Sequence, residues 1–106
     1  MKRLALIGLM LVVGSASAEC NRDSAQKVLS DLRHMGSWRV LDSAVEIEFK
    51  WGSAIDNATP RERLKLFEAF ANADACIVGQ ARKIEYYRRG KLIGKASPDS
   101  GIKIVD

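Results

Sequence analysis

His34 is the one histidine of the chain, and any Ser–His–Asp or Cys–His arrangement for nucleophilic catalysis would have to use it. It lies next to Arg33 near the end of a predicted helix, away from the apolar stripe of that helix. A histidine near a helix C-terminus interacts favourably with the helix dipole, which gives His34 a structural role instead. We therefore predict no catalytic residues and expect the protein not to be an enzyme.

Two acidic side chains, Glu46 and Glu48, offer a second route to catalysis, because paired carboxylates can hydrolyse glycosidic bonds. They alternate with apolar residues in a predicted strand, which places both on one side of it, roughly 7 Å apart. The same alternation is typical of a strand surface that faces water. A small cell-wall hydrolase is thus the alternative function, and a solvated surface is the favoured interpretation.

Cys20 and Cys76 are the only cysteines of the sequence. In a small exported domain they indicate a disulfide, which here closes a loop of about 57 residues. Two free thiols or an intermolecular pair are the alternatives. Two cysteines and one distant histidine lack any recognised ligand spacing, and the sequence has no glycine-rich phosphate loop or dinucleotide fingerprint. We expect no metal and no cofactor.

The segment from 82 to 95 is the most suggestive one for binding. Six of its residues are basic, Glu85 is its only acid, and two tyrosines precede its tip. Arginine beside tyrosine on a hairpin suits an acidic partner, with a protein most favoured and anionic lipid, a wall polymer or nucleic acid as alternatives. A solvated hairpin whose charges discourage aggregation is the competing interpretation. The predicted partner-binding residues are Arg82, Tyr87, Arg88, Arg89, Lys91 and, at the start of a separate loop, Trp51.

The first helix that must position these residues is predicted over 22–35. Apolar residues recur there at three- and four-residue steps, which lines one face of a helix. Asn21 or Asp23 can cap its start, and Gly36 is expected to stop it.

A second helix has the clearest start signal in the chain. Thr59 can cap it, Pro60 suits its first position, and Glu62 completes a capping box. The helix is expected to end at Gly79 and to carry Cys76 in its last turn. Since it is apolar over more than one stripe, we predict that it is the central helix.

Strands are predicted from period-two alternation. The strand over 45–51 is expected to begin earlier, at residues 38–41, with a bulge or bend at 42–43. Residues 52–58 are predicted to form a loop. A three-residue loop at 88–90 is expected to place Leu92 and Ala96 on the same face as Ile84 and Tyr86. The remaining predicted elements are strands at 82–87 and 91–96, a turn at 97–101 and a short strand at 102–105.

The first eighteen residues have the layout of a cleavable secretory signal, with basic residues at 2–3, an apolar run at 4–13 and an A-x-A site that ends at Ala18. The apolar run is too short to span a membrane, which takes roughly 20 residues. Glu19 separates the site from Cys20, which argues against lipidation of that cysteine. We expect cleavage after Ala18 and a periplasmic or secreted bacterial protein.

Removal of this segment leaves 15 basic and 13 acidic residues in 88, a net charge of +2 against +4 for the whole chain, which weakens the case for nucleic acid. We predict one α+β domain over 19–106, in the order helix, strand, helix and three strands, with an antiparallel sheet packed on the helices. The expected function is that of a non-enzymatic binding protein, such as an inhibitor, an immunity protein or an accessory subunit of the envelope.

Overall fold

The computed structural model of the protein describes residues 20–41 and 44–105. The predicted signal segment and its cleavage site therefore lie outside the described residues. Two helices and a five-stranded sheet form an α+β domain. The elements are α1 (Arg22–Leu32), β1 (Gly36–Val40), β2 (Glu46–Trp51), a 3-10 helix (Ser53–Asn57), α2 (Pro60–Val78), β3 (Lys83–Arg88), β4 (Lys91–Ser97) and β5 (Gly101–Ile104).

The sheet is mixed, with the strands in chain order from β1 to β5. All neighbouring pairs are antiparallel except β2 and β3, which are parallel. The prediction of a wholly antiparallel sheet was wrong at this pair, because α2 carries the chain back across the sheet before β3 begins. Such a crossover is the connection that parallel neighbours need.

The predicted first strand consists of two strands. Residues 36–40 form β1, which runs antiparallel to β2 with Trp38 opposite Phe49. The break in the period-two alternation before β2 therefore marks a reversal of the chain. The amide of Leu41 donates to the carbonyl of Glu46, and that of Ala44 donates to the carbonyl of Leu41. Residues 42–43, where a bulge or bend was predicted, lie outside the described part.

The start and end of α2 confirm the sequence prediction. The Thr59 hydroxyl accepts a hydrogen bond from the Glu62 amide at 3.1 Å, and the Glu62 carboxylate accepts one from the Thr59 amide at 2.8 Å. Pro60 lacks an amide proton, and the first helical position does not need one for a hydrogen bond within the helix. Gly79 ends the helix with φ 93°, a left-handed conformation in which glycine carries no steric penalty.

A disulfide joins Cys20, just before α1, to Cys76 near the end of α2, as predicted, with 5.6 Å between the two Cα atoms. Asn21 caps α1 by accepting a hydrogen bond from the Ser24 amide. The helix ends at Leu32, three residues earlier than predicted, and Gly36 opens β1. The disulfide therefore fixes the start of α1 against the end of α2.

Aromatic rings fill the core between the helices and one face of the sheet. Phe67 of α2 stacks on Tyr86 of β3 with 4.1 Å between the ring centroids, and the Tyr86 hydroxyl donates to the Phe67 carbonyl at 2.7 Å. Gly94 lies opposite Tyr86, and a Cβ atom there would collide with the Phe67 ring. Glycine at this position therefore lets α2 approach the sheet closely.

The β3–β4 hairpin has a two-residue turn, so the predicted three-residue loop was wrong. Arg89 and Gly90 have φ 53° and 79°, and Arg88 pairs with Lys91. A bulge beyond the turn brings Ile84 opposite Ala96, so these two residues lie on the same face, as predicted. Leu92, however, pairs with Tyr87 and so lies on the opposite face of the sheet from Ile84.

The face of the sheet that the core does not use carries charges. One row of registered residues crosses all five strands and is charged at every position: Arg39, Glu48, Glu85, Lys95 and Lys103. We call this surface the open face. Three of the four strand pairs are antiparallel, and an antiparallel sheet commonly has one face on the core and one face in water.

Candidate functional site

Two of the predicted partner-binding residues are largely withdrawn from solvent. Trp51 is 3% exposed, and its ring stacks on Phe49 with 4.4 Å between centroids. The Arg82 side chain is 10% exposed and makes two hydrogen bonds to the Asp74 carboxylate, at 2.6 and 3.0 Å. Neither side chain is presented to a partner, because Trp51 packs in the core and Arg82 pairs with the buried Asp74 carboxylate.

Asp74 is a residue that the sequence analysis missed. It lies in α2 among alanines and is 5% exposed. The pKa of Arg82 is raised by the hydrogen bonds from its guanidinium to this carboxylate, so Arg82 stays charged. Arg82 also donates to the Ala44 carbonyl, at 3.2 Å, and so links α2 to the β1–β2 connection. One carboxylate in an otherwise apolar helical segment was the available signal for a buried ion pair.

Arg88 fixes the hairpin to the loop after β2. Its Nε and Nη2 atoms donate to the two carboxylate oxygens of Asp56, at 2.9 and 2.8 Å, in a bidentate pair. Asp56 belongs to the 3-10 helix within the predicted loop 52–58. A bidentate arginine–carboxylate pair fixes orientation as well as distance. The base of the turn is therefore held in place, and nothing in the sequence around Asp56 singled it out.

The turn itself breaks a sequence rule. A two-residue hairpin turn with positive φ at both central residues favours Asn, Asp or Gly, yet Arg89 occupies the first position with φ 53°. A left-handed conformation costs a residue with a Cβ atom roughly 1–2 kcal/mol. Backbone strain of this kind concentrates at functional sites, so an observed outlier supports a functional hypothesis.

Arg89 and Lys91 are the exposed cations of this turn. Both are exposed, and their side chains form no ion pair with any residue in 20–41 or 44–105. The positive charges of Arg88, Arg89 and Arg63 all lower the pKa of the Asp56 carboxyl. Three guanidinium groups therefore lie around one carboxylate. We call Arg88, Arg89, Gly90 and Lys91, with Asp56, the arginine tip. Its charge is positive, and its backbone is held by the hairpin and by the Arg88–Asp56 pair.

Tyr87 lies on the open face next to the arginine tip. It is half-buried, and its hydroxyl donates to Glu85 at 2.9 Å. This hydrogen bond, together with the negative charge of Glu85, raises the pKa of the Tyr87 phenol. Tyr87 is therefore a neutral hydrogen-bonding aromatic beside a cationic turn.

The acidic residues considered for catalysis are engaged in ion pairs on the open face. Glu48 accepts a hydrogen bond from Arg39 at 3.0 Å, and Lys50 lies 3.9 Å away. Lys83 lies 3.6 Å from Glu46. These pairs agree with the predicted solvent-facing strand surface. His34 is exposed just after α1, and the described residues contain no group of three or more potential metal ligands.

The Arg88–Asp56 pair should make the stability of the protein depend on pH. The hydrogen bond from Arg88 lowers the pKa of the Asp56 carboxyl from its ordinary value of 3.8, and the positive charges of Arg88, Arg89 and Arg63 lower it further. The stability that this pair contributes is therefore complete above pH 3.8 and is lost as the pH falls through the lowered pKa. A carbon-detected NMR titration of the Asp56 carboxyl should show a midpoint below 3.8.

Arg88→Gln is the control for this titration, because it removes the hydrogen bond and one positive charge. The Asp56 midpoint should then rise towards the ordinary value. Equal midpoints in the two proteins would show that the bidentate pair does not exist in solution.

None of the described helices is long and apolar enough to span a bilayer. Comparison of the chain with protein-family models, with curated proteins and with solved structures finds no match.

Proposed function

We propose that the protein is an exported, non-enzymatic binding protein that docks on an acidic surface of another protein through the arginine tip. The observation that carries the proposal is the pair of exposed cations, Arg89 and Lys91, on a turn that is fixed from below by the Arg88–Asp56 ion pair. Inhibitors, immunity proteins and accessory subunits of the envelope share this mode of action.

Preorganisation supports docking. Ordering a flexible arginine-rich loop on binding costs affinity, and a turn that is already ordered avoids part of that cost. The two-residue turn and the bidentate pair with Asp56 order the backbone before any partner arrives. Arginine is also enriched in protein interfaces, because its planar group pairs with carboxylates in two contacts.

Export is the part of the proposal that rests on the N-terminal pattern and the disulfide. Disulfides form and persist in the periplasm and outside the cell, and are rare in the reducing cytosol. The Cys20–Cys76 bond and the signal-like residues 1–18 are consistent with that location.

The test is charge reversal at the arginine tip. Arg89→Glu combined with Lys91→Glu should weaken binding to a partner captured from envelope extract by at least about tenfold, since close interfacial charge pairs are worth roughly 1.5 kcal/mol or more. The salt dependence of binding should flatten, because fewer opposite charges then meet. Arg88 is left unchanged, since a glutamate there would face Asp56.

Lys27→Glu combined with Lys65→Glu is the matched control, because it changes the net charge equally on the exposed surfaces of the two helices. The control should bind as the wild type does, and both variants should keep the wild-type circular dichroism spectrum. Equal loss of binding in the two variants would mean that only net charge matters. Unchanged binding in the tip variant would exclude the arginine tip as the contact.

A further inference from the structure

A second basic site lies at the other end of the β3–β4 hairpin. The start of β3, the end of β4 and β5 line a cleft of about 330 Å³. The rise of a strand separates it from the arginine tip by roughly 17 Å along β3. Its polar lining residues are Lys83, Glu85, Lys95, Ser97, Ser100 and Lys103. We call it the lysine cleft.

Two like charges lie side by side at this cleft. Lys95 of β4 lies directly opposite Lys103 of β5. Like charges in directly opposed positions destabilise a sheet. Neither lysine forms an ion pair with any residue of the described ranges, and both are exposed. Within the described residues, two ammonium groups without an ion-pair partner thus lie where an opposite-charge pair would stabilise the sheet better.

Protection of a sheet edge explains only one of these lysines. A lysine on an edge strand discourages the pairing of strands between molecules, and β5 is an edge strand. Lys95 lies on β4, which has a neighbour on each side. Glu85 of β3 lies directly opposite Lys95 on its other side, but the two side chains form no ion pair within the described residues. Neither edge protection nor an ion pair therefore accounts for the charge of Lys95 beside Lys103.

The other charges of the cleft leave it positive. Among the described residues Glu85 is the only carboxylate that lines it, and that side chain already accepts a hydrogen bond from the Tyr87 hydroxyl. Lys83 lies 3.6 Å from Glu46, which is outside the lining. Three lysines therefore stand against one glutamate in the cleft. Asp99, in the turn before β5, does not line it.

Hydroxyl groups complete the donor set. The Ser97 oxygen accepts a hydrogen bond from the Asp99 amide at 3.1 Å, so the hydroxyl proton remains available to donate elsewhere. Ser100 adds a second hydroxyl from the turn. The cleft thus offers compact ammonium charges and hydroxyl donors, and no planar guanidinium group lines it. Lysine binds phosphate as a point charge and does not require the planar geometry of a carboxylate.

We propose that the lysine cleft binds the phosphate group of a phosphorylated ligand. A tetrahedral dianion between Lys95 and Lys103 would replace their mutual repulsion with attraction to a shared centre. Ser97 and Ser100 would donate to its remaining oxygens. This proposal does not rest on the docking role of the arginine tip.

The test is a titration of the disulfide-bonded protein with inorganic phosphate, with ionic strength held constant by sodium chloride. The backbone amide signals of Lys95, Ser97 and Lys103 should shift and reach saturation. Lys95→Gln combined with Lys103→Gln should weaken the apparent affinity by at least about tenfold, since two charge-assisted contacts are lost. This variant should melt close to the wild type, because exposed charges contribute less than about 1 kcal/mol each.

Lys27→Gln with Lys65→Gln is the control of equal charge change, and it should bind phosphate as the wild type does. The arginine-tip variant Arg89→Glu/Lys91→Glu should also bind phosphate normally, which separates the two proposals. Shifts that grow linearly without saturation, or equal weakening in the control and the cleft variant, would overturn the cleft as a phosphate site.

A vesicle experiment identifies the source of the phosphate. If the ligand is a lipid head group, the protein should sediment with vesicles of phosphatidic acid in phosphatidylcholine, and inorganic phosphate should compete. If the ligand is soluble, the protein should bind inorganic phosphate and remain free of those vesicles. Absence of binding in both experiments would refute the proposal.

Discussion

Replacing Asp74 with alanine is expected to lower the free energy of unfolding by about 3–5 kcal/mol, because it leaves the charge of Arg82 buried without its partner. The Asp74 and Arg82 side chains are only 7% and 10% exposed, so little water reaches the guanidinium in place of the lost carboxylate. For a domain of this size the melting temperature should fall by at least about 12 °C. Thermal and urea unfolding followed by circular dichroism will measure both quantities.

Asp31→Ala is the matched control, since it removes an aspartate whose ion pair with Lys27 is exposed. Its effect should stay below about 1 kcal/mol. A second comparison separates pairing from packing. Combining Asp74→Leu with Arg82→Met replaces the pair by apolar groups and should recover much of the stability lost in Asp74→Ala. If Asp74→Ala unfolds like the wild type, the buried pair is not a stabilising element.

Loss of the disulfide should have an effect of similar size. The bond joins cysteines 56 residues apart, and the chain-entropy model assigns about 4 kcal/mol to a loop of that length. Cys20→Ser, Cys76→Ser and the double replacement should all lose this amount, because each variant removes the same crosslink. Urea unfolding with and without a reductant will measure it.

The reductant supplies the internal control for this prediction. It should destabilise the wild-type protein to the level of the serine variants and leave those variants unchanged. A single variant that is clearly less stable than the double one would point to harm from the unpaired thiol. Free thiols found at both positions in the purified, unreduced protein would contradict the crosslink itself.

Local signals predicted much of this fold. The capping box of Thr59 and Glu62 and the stop at Gly79 define α2, because each depends on residues close in sequence. The alternation from Ile47 to Trp51 correctly identified the buried side of β2. The pairing of Cys20 with Cys76 followed from there being only two cysteines.

The errors concern what local pattern does not encode. Residues 36–40 have the same strand propensity whether they continue β2 or fold back on it, so the reversal was missed. The parallel direction of β3 depends on where α2 delivers the chain. In the β3–β4 hairpin, a short turn with a bulge and a longer loop without one both place Ala96 on the same face as Ile84, so the alternation could not separate them.

The candidate site was predicted only in part. The basic hairpin could be identified from composition, since its charges are consecutive in sequence. Which of those charges are exposed depends on partners that lie far along the chain: Asp56 is 32 residues from Arg88. Arg82 and Arg89 look alike in the sequence, yet one is buried against Asp74 and the other lies at the tip of a strained turn.

The order of the strands determines how the sheet can be assembled. Since β1 to β5 follow one another in space as they do in the chain, each new strand adds to the edge left by the strand before it. No strand has to insert between two that are already paired. Cys76 follows α1, β1, β2 and most of α2 along the chain, so the crosslink cannot close before the residues of those elements have been made. The sheet can therefore grow in one direction as the chain becomes available, from the N-terminal edge to the C-terminal one.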